Sequence, residues 1–105
     1  MNGLLSMTET KKGYLIILFQ SINNMEKFEA YRQLAAPVLE NCGARFLTRG
    51  MPEKTYEHGQ SERVVLLEFD SVAAAISLYE SPAYQESLKA LGDGAVRDVR
   101  IVAGY

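Results

Sequence analysis

Tyr14-Leu15-Ile16-Ile17-Leu18-Phe19 is the stretch on which the fold turns. All six side chains are aliphatic or aromatic, so a strand through them turns apolar groups to both of its faces. Six residues is strand length and well short of the roughly 18 to 20 that a membrane-crossing helix needs. A second run, Arg63 to Asp70, sets Val65, Leu67 and Phe69 on one face and Val64, Leu66 and Glu68 on the other. Both strands therefore require cover on two sides.

Between and after these strands the apolar spacing changes to that of helices. Asn23 or Asn24 can cap a helix, with Glu26 completing a capping box from Asn23. Phe28, Tyr31, Leu34, Ala35, Val38 and Cys42 then recur at helical spacing. Pro37 lies inside that pattern and predicts a kink or restart, because its ring crowds the carbonyl of Gln33; Gly43 predicts a left-handed cap. Ala44 to Gly50 reads as a strand with Ala44, Phe46 and Thr48 on one face and Arg45, Leu47 and Arg49 on the other. Met51 to Glu62 is a polar loop. Ser71 and then Ser81-Pro82 are two successive helix starts, so the second helix comes in two pieces. The second piece, Ala83 to Leu91, stops at Gly92-Asp93-Gly94, and Val99, Ile101 and Ala103 alternate in a last strand. The order is βαββαβ, an α+β domain in the split, ferredoxin-like arrangement: a four-stranded antiparallel sheet with its helices on one face.

Composition narrows the class. The chain has 105 residues, 48% hydrophobic and 23% charged, which suits one soluble globular domain. A net charge of −2 gives no general attraction to nucleic acid or to an anionic membrane, and neither is expected as a partner. One Cys and one His, Cys42 and His58, cannot build a disulfide framework or a zinc site of four protein ligands. No basic n-region precedes an apolar stretch at the start, so a cytoplasmic location is expected. Residues 1–11 read as a flexible lead-in, in which Met7 offers an internal start, and residues 12–105 as the single domain.

Helices on one face leave the other to water, yet that face holds Leu47, Val64, Leu66 and one full parity of the first strand. A contiguous apolar face of this kind exceeds what stable monomers usually expose. The expected cover is a second copy, sheet to sheet, in a two-fold homodimer.

Five short segments carry a resemblance. Lys12-Gly13-Tyr14, Ala35-Ala36-Pro37, Gly43-Ala44-Arg45-Phe46-Leu47-Thr48-Arg49-Gly50, Glu68-Phe69-Asp70-Ser71 and Tyr79-Glu80-Ser81-Pro82-Ala83-Tyr84-Gln85 occur in order and with matching spacing. Over Lys12 to Gly104 the chain resembles the bacterial domain-of-unknown-function family thirteen-thirty of the dimeric α/β-barrel superfamily. The resemblance implies a ferredoxin-like protomer whose sheet pairs with that of a partner to form a barrel. It implies no reaction, since the wider superfamily spans cofactor-free monooxygenases, isomerases, haem-degrading enzymes and ligand sensors. Gly92-Asp93-Gly94 and Val102-Ala103-Gly104 depart from the resemblance, at places where relatives often carry an Arg and a Val-Glu-Gly triplet.

Chemistry has few candidate carriers. Pairing Arg45 with Glu68 across the sheet also pairs Leu47 with Leu66 and Arg49 with Val64. A guanidinium steadied by a carboxylate can grip an anionic or enolate oxygen in a bidentate way, and Glu68 can orient Arg45 or move a proton. The alternative is a plain cross-strand or interface ion pair. His58 is the one side chain that titrates near neutrality when unperturbed, and it stands as a catalytic candidate although its loop address suits a solvated residue. Tyr31, Tyr84 and Arg49 are the candidate substrate-binding residues, against a packing role for the two tyrosines. No Gly-rich phosphate loop or nucleophile triad is present, and no metal or cofactor is expected. Two functions remain: a homodimer that binds or transforms a small anionic or enolisable organic molecule, or a non-catalytic dimeric ligand-binding or stress-related module.

Overall fold

A computed structural model describes residues 11–105 of the chain. The lead-in expected over residues 1–11 lies, apart from Lys11, outside the described residues. Seven elements follow: β1 (Gly13–Ile22), α1 (Met25–Glu40), β2 (Arg45–Gly50), β3 (Val64–Phe69), α2 (Val72–Tyr79), α3 (Pro82–Leu91) and β4 (Ala95–Ala103). The strands form one antiparallel sheet in the order β2-β3-β1-β4, the ferredoxin-like arrangement that the sequence predicts.

The two parities of β1 separate as expected. Leu15, Ile17 and Phe19 are buried under the helices together with Val65, Leu67 and Phe69 of β3. Tyr14, Ile16 and Leu18 turn to the opposite face, opposite Glu68, Leu66 and Val64 in the β1–β3 register. Among the described residues no helix covers that face, and exposed Leu47 and Val102 add to the apolar surface of the outer strands.

Helix α1 is capped by Asn24, whose side chain accepts from the Lys27 amide at 3.0 Å. With the cap at Asn24 rather than Asn23, Lys27 takes the position that a capping box requires Glu26 to fill, so no box forms. The helix runs through Pro37 without a restart. Its last backbone bond runs from the Asn41 amide to the Pro37 carbonyl at 3.0 Å, the Asn41 side chain donates to the same carbonyl at 2.8 Å as a cap, and Gly43 turns the chain at φ +85° beyond that end. Its buried stripe is Phe28, Tyr31, Ala35 and Leu39. Leu34 is exposed and Cys42 lies past the helix, so the stripe is rotated slightly from the predicted one.

The second helix is divided as Ser81-Pro82 predicts. Ser71 caps α2 and Ser81 caps α3, and the Ser81 hydroxyl also donates to the Leu78 carbonyl at 2.7 Å, tying the two pieces together. Gly13 lets β1 pass this corner. A Cβ there would stand 2.5 Å from the Ser71 carbonyl oxygen and 2.7 Å from the Val72 Cα, which only a backbone shift could relieve.

The largest departure from the expected strand pattern is in β2. Arg45 pairs with Glu68 as predicted, and Phe46 with Leu67, but the register then shifts: Thr48 pairs with Leu66, Arg49 with Val65 and Gly50 with Val64. Leu47 is the extra residue of a β-bulge, which overturns the expected Leu47–Leu66 and Arg49–Val64 pairs. One inserted residue exchanges faces for everything after it. Arg45 stays on the open face with Glu68, while Arg49 moves to the helix face beside Val65.

Candidate functional site

The bulge places Arg49 at a cavity of about 300 Å³ between α1 and the β2-β3-β1 side of the sheet. That volume is at the lower end of the range for small-molecule sites. Its floor is apolar, built from Ile17, Phe19, Val65, Ala35 and Leu39, with the rings of Phe28, Tyr31 and Phe46 in the walls. Its polar lining is cationic on balance: Arg32, Arg49 and Arg63 face Glu29 and Glu40.

The three guanidinium groups differ in their company. Arg32 bonds Glu29 at 3.0 Å, one helical turn away, and lies 5.9 Å from the centre of the Phe28 ring. Arg49 covers the Phe46 ring at 4.5 Å and reaches Glu40 at 4.0 Å, the outer limit of an ion pair. Arg63 approaches the Phe28 ring at 6.0 Å, and among the described residues no carboxylate pairs with it. Partial burial pushes the Arg63 guanidinium below its ordinary pKa, and repulsion from Arg32 and Arg49 adds to this. It remains charged near neutrality, since arginine starts so high. The Phe19 amide donates to the Arg63 carbonyl at 2.9 Å, which extends the sheet ladder by one residue and fixes the Arg63 backbone at the cavity mouth.

Behind the cavity wall lies a second polar group. The hydroxyls of Tyr31 and Tyr84 are 2.7 Å apart, and Arg97 donates to Tyr31 Oη at 3.0 Å. Arg97 also lies 5.4 Å from the centre of the Phe19 ring and 5.0 Å from that of Tyr31, so two aromatic faces offset part of the cost of burying its charge. Tyr84 is fully buried; burial first, and then Tyr31, hold its hydroxyl protonated far above the ordinary phenol range.

The candidates from the sequence are thus divided over three places. Tyr31 and Arg49 meet at the cavity. Tyr84 touches it only through Tyr31. Arg45 and Glu68 stand on the open face of the sheet, where Arg45 Nε donates to Glu68 Oε1 at 2.7 Å and Tyr14 Oη donates to Oε2 at 2.7 Å. His58 is exposed in the turn that the Gly59 amide closes on the Tyr56 carbonyl at 2.9 Å. Among the described residues no three His, Cys, Asp or Glu side chains gather to hold a metal ion, and no helix is long and apolar enough to cross a membrane.

Arg63, Arg32 and Arg97 are not among the predicted site residues, and a signal for each was present. Arg63 shares parity with Val65, Leu67 and Phe69, Arg97 shares parity with Val99 and Ile101, and Arg32 lies on the helix surface next to Phe28 and Ala35. A cation on the core-facing parity of a strand marks either a buried partner or a cavity.

The open-face network makes a pH prediction. The hydroxyl of Tyr14 and then the guanidinium of Arg45 hold the Glu68 carboxyl below its ordinary value of 4.5. A carboxylate whose pKa is lowered in the folded state stabilises fully above its unfolded value, and that contribution is lost as pH falls through the lowered one. At one fixed protein concentration, the gap in urea midpoint between wild type and Glu68→Gln is expected to be constant from pH 7 to about pH 5 and to close below about pH 4. A gap that does not change with pH would remove the ionised form of Glu68 from the account.

Three comparisons bear on the whole assembly of elements. Residues 12–105 match the family described as Domain of unknown function (DUF1330). No curated protein matches the chain. Among solved structures, a protein of unknown function from Rhodopseudomonas palustris has a TM-score of 0.66 at 22% identity, with 98% of this chain and 91% of that chain covered. A dimeric ferredoxin-like protein of unknown function from Thermobifida fusca has a TM-score of 0.63 at 12% identity, covering 90% of this chain and 92% of that one. SnoaB, a cofactor-independent oxygenase from Streptomyces nogalater, has a TM-score of 0.58 at 12% identity, covering 91% and 95%. At these identities the likeness is one of fold.

Proposed function

Since the chain belongs to the DUF1330 family, whose description names no reaction, we propose its function from the site itself: a homodimer that takes a small anionic organic molecule into the cavity under α1. The observation that carries this is Arg63, a partly buried guanidinium at the mouth of an apolar cavity, with two further guanidiniums beside it and no carboxylate of its own among the described residues. A bound carboxylate or enolate would supply the missing countercharge and relieve the repulsion among the three cations.

Binding without turnover is the better supported form of this reading. No imidazole lines the cavity, and its two carboxylates, Glu29 and Glu40, each face an arginine. The likeness to a cofactor-independent oxygenase keeps turnover without metal or cofactor as the second form. The homodimer rests on the apolar centre of the open face, Ile16, Leu18, Val64 and Leu66, flanked by the polar groups Lys12, Arg45, Glu68 and Asp70. That is the anatomy of an interface with a dry middle and a charged rim, and on this reading Arg45 and Glu68 serve contacts between copies.

Calorimetric titration with benzoate and with benzamide, its neutral counterpart of similar shape, tests the cavity. Benzoate is expected to bind about tenfold more tightly or better, and Arg63→Gln to erase the difference. Equal affinities, or no heat from either compound at millimolar concentration, would refute an anion site.

A further inference from the structure

We infer that the cavity selects monoanions over dianions, and that Glu40 and Glu29 set this selectivity by occupying two of its three guanidinium groups. The inference rests on the anion-binding reading and names the substrate class within it: a monocarboxylate or enolate with a compact apolar body.

Charge counting comes first. Arg32 is engaged by Glu29 and Arg49 by Glu40, both carboxylates belong to α1, and both line the same cavity as the arginines they face. Exposed pairs of this kind contribute little to stability, but they neutralise the local field all the same. One positive charge is left over, on Arg63. A ligand with one negative charge brings the cavity to neutrality, and a second charge would have to take a guanidinium from a carboxylate already in place.

The shape of the lining acts in the same direction. The buried part of the lining, Ile17, Phe19, Ala35, Leu39 and Val65, offers no polar side chain, the Tyr31 hydroxyl in the wall is already engaged by Tyr84 and Arg97, and Gln33 is exposed at the outside. A second carboxylate at the far end of a rigid ligand would be desolvated there without a hydrogen-bond donor, which is strongly unfavourable. An apolar body of the same size fills that floor without such a cost. Discrimination against the dianion therefore has both a repulsive element, the two glutamates, and a desolvation element, the floor.

The pairs differ in geometry, and that makes the inference testable by substitution. Glu29 is a close partner of Arg32 at 3.0 Å, whereas Glu40 only reaches Arg49 at 4.0 Å. Both glutamate side chains are at least half exposed, so Gln at either position should fold normally. Glu40→Gln frees a guanidinium that already lies over the Phe46 ring and raises the net charge of the lining by one.

The experiment compares benzoate, terephthalate and benzamide by calorimetry on wild type, Glu40→Gln and Glu29→Gln at about 0.1 M salt. In the wild type benzoate is expected to bind about tenfold or more tightly than terephthalate, and Glu40→Gln to narrow that ratio by at least about threefold by strengthening the dianion. Terephthalate binding as well as benzoate, while both exceed benzamide, would overturn the inference and leave the anion site standing. An unchanged ratio in both variants would overturn the role of the glutamates. Benzoate binding no better than benzamide would overturn the underlying reading, and this inference with it.

Discussion

Ile16→Asp is expected to turn the proposed homodimer into a folded monomer. Ile16 sits on the middle strand pair of the open face, opposite Leu66 on β3 and Arg100 on β4, and points away from the helix-covered core. A carboxylate there costs the isolated protomer little, because the face meets water in the absence of a partner. In a two-fold sheet-to-sheet contact the same substitution enters twice and desolvates two like charges near the centre. The cation opposite, Arg100, is already held by Asp98 through two bonds of 2.9 Å, and a buried charge left without a partner costs about 3 to 5 kcal/mol, which corresponds to roughly a hundredfold to several thousandfold in the dissociation constant. Light scattering coupled to size exclusion at micromolar protein is expected to give twice the chain mass for wild type and a single chain mass for the variant, with an unchanged circular dichroism spectrum. A wild-type monomer under these conditions would end the homodimer proposal. A variant that remains dimeric would move the interface off this face.

Tyr84→Ala is expected to produce the largest loss of stability, about 3 to 5 kcal/mol. The side chain is fully buried, its ring centre is 5.1 Å from that of Tyr79 and 6.2 Å from that of Tyr31, and its hydroxyl meets Tyr31 Oη at 2.7 Å. Against a total of about 5 to 15 kcal/mol for a domain of this kind, the alanine variant would be marginal. Tyr84→Phe keeps the ring and removes one hydroxyl, while Tyr31 keeps its bond from Arg97; the expected cost is about 1 kcal/mol. Urea unfolding of the three proteins measures both numbers. If phenylalanine costs as much as alanine, the hydroxyl pair and not the packing of the ring holds this corner together. Should neither matter, the core would have to be centred elsewhere.

These two residues show how differently positions can be read from one chain. Ile16 was assignable to one of two faces by parity alone, and only the need to bury Phe19 and Leu15 under the helices chose between them. Tyr84 was visible as an aromatic after a Ser-Pro helix start, yet spacing on a ten-residue helix does not say whether a phenol lines a cavity or stands behind its wall. Its burial follows from the packing of α1 on α3, a contact between segments 53 residues apart at the Tyr31–Tyr84 pair.

The order of strands and helices, the caps at Ser71 and Ser81, and the Arg45–Glu68 pair were determined by the sequence itself, because each depends on local periodicity, local hydrogen bonding or strand parity, whereas the choice of Asn24 over Asn23 as the α1 cap was made by the fold. The composition of the cavity was decided by tertiary structure. A single extra residue at Leu47, with neither Gly nor Pro to announce it, sends Arg49 to the opposite side of the sheet from Arg45. Arg63 comes to line a cavity only where α1 brings Arg32 and Phe28 to meet it. A bulge arises from the fit between a whole strand and its neighbour, and a cavity from helices that do not close over every part of a sheet; neither is a property that any one segment carries alone.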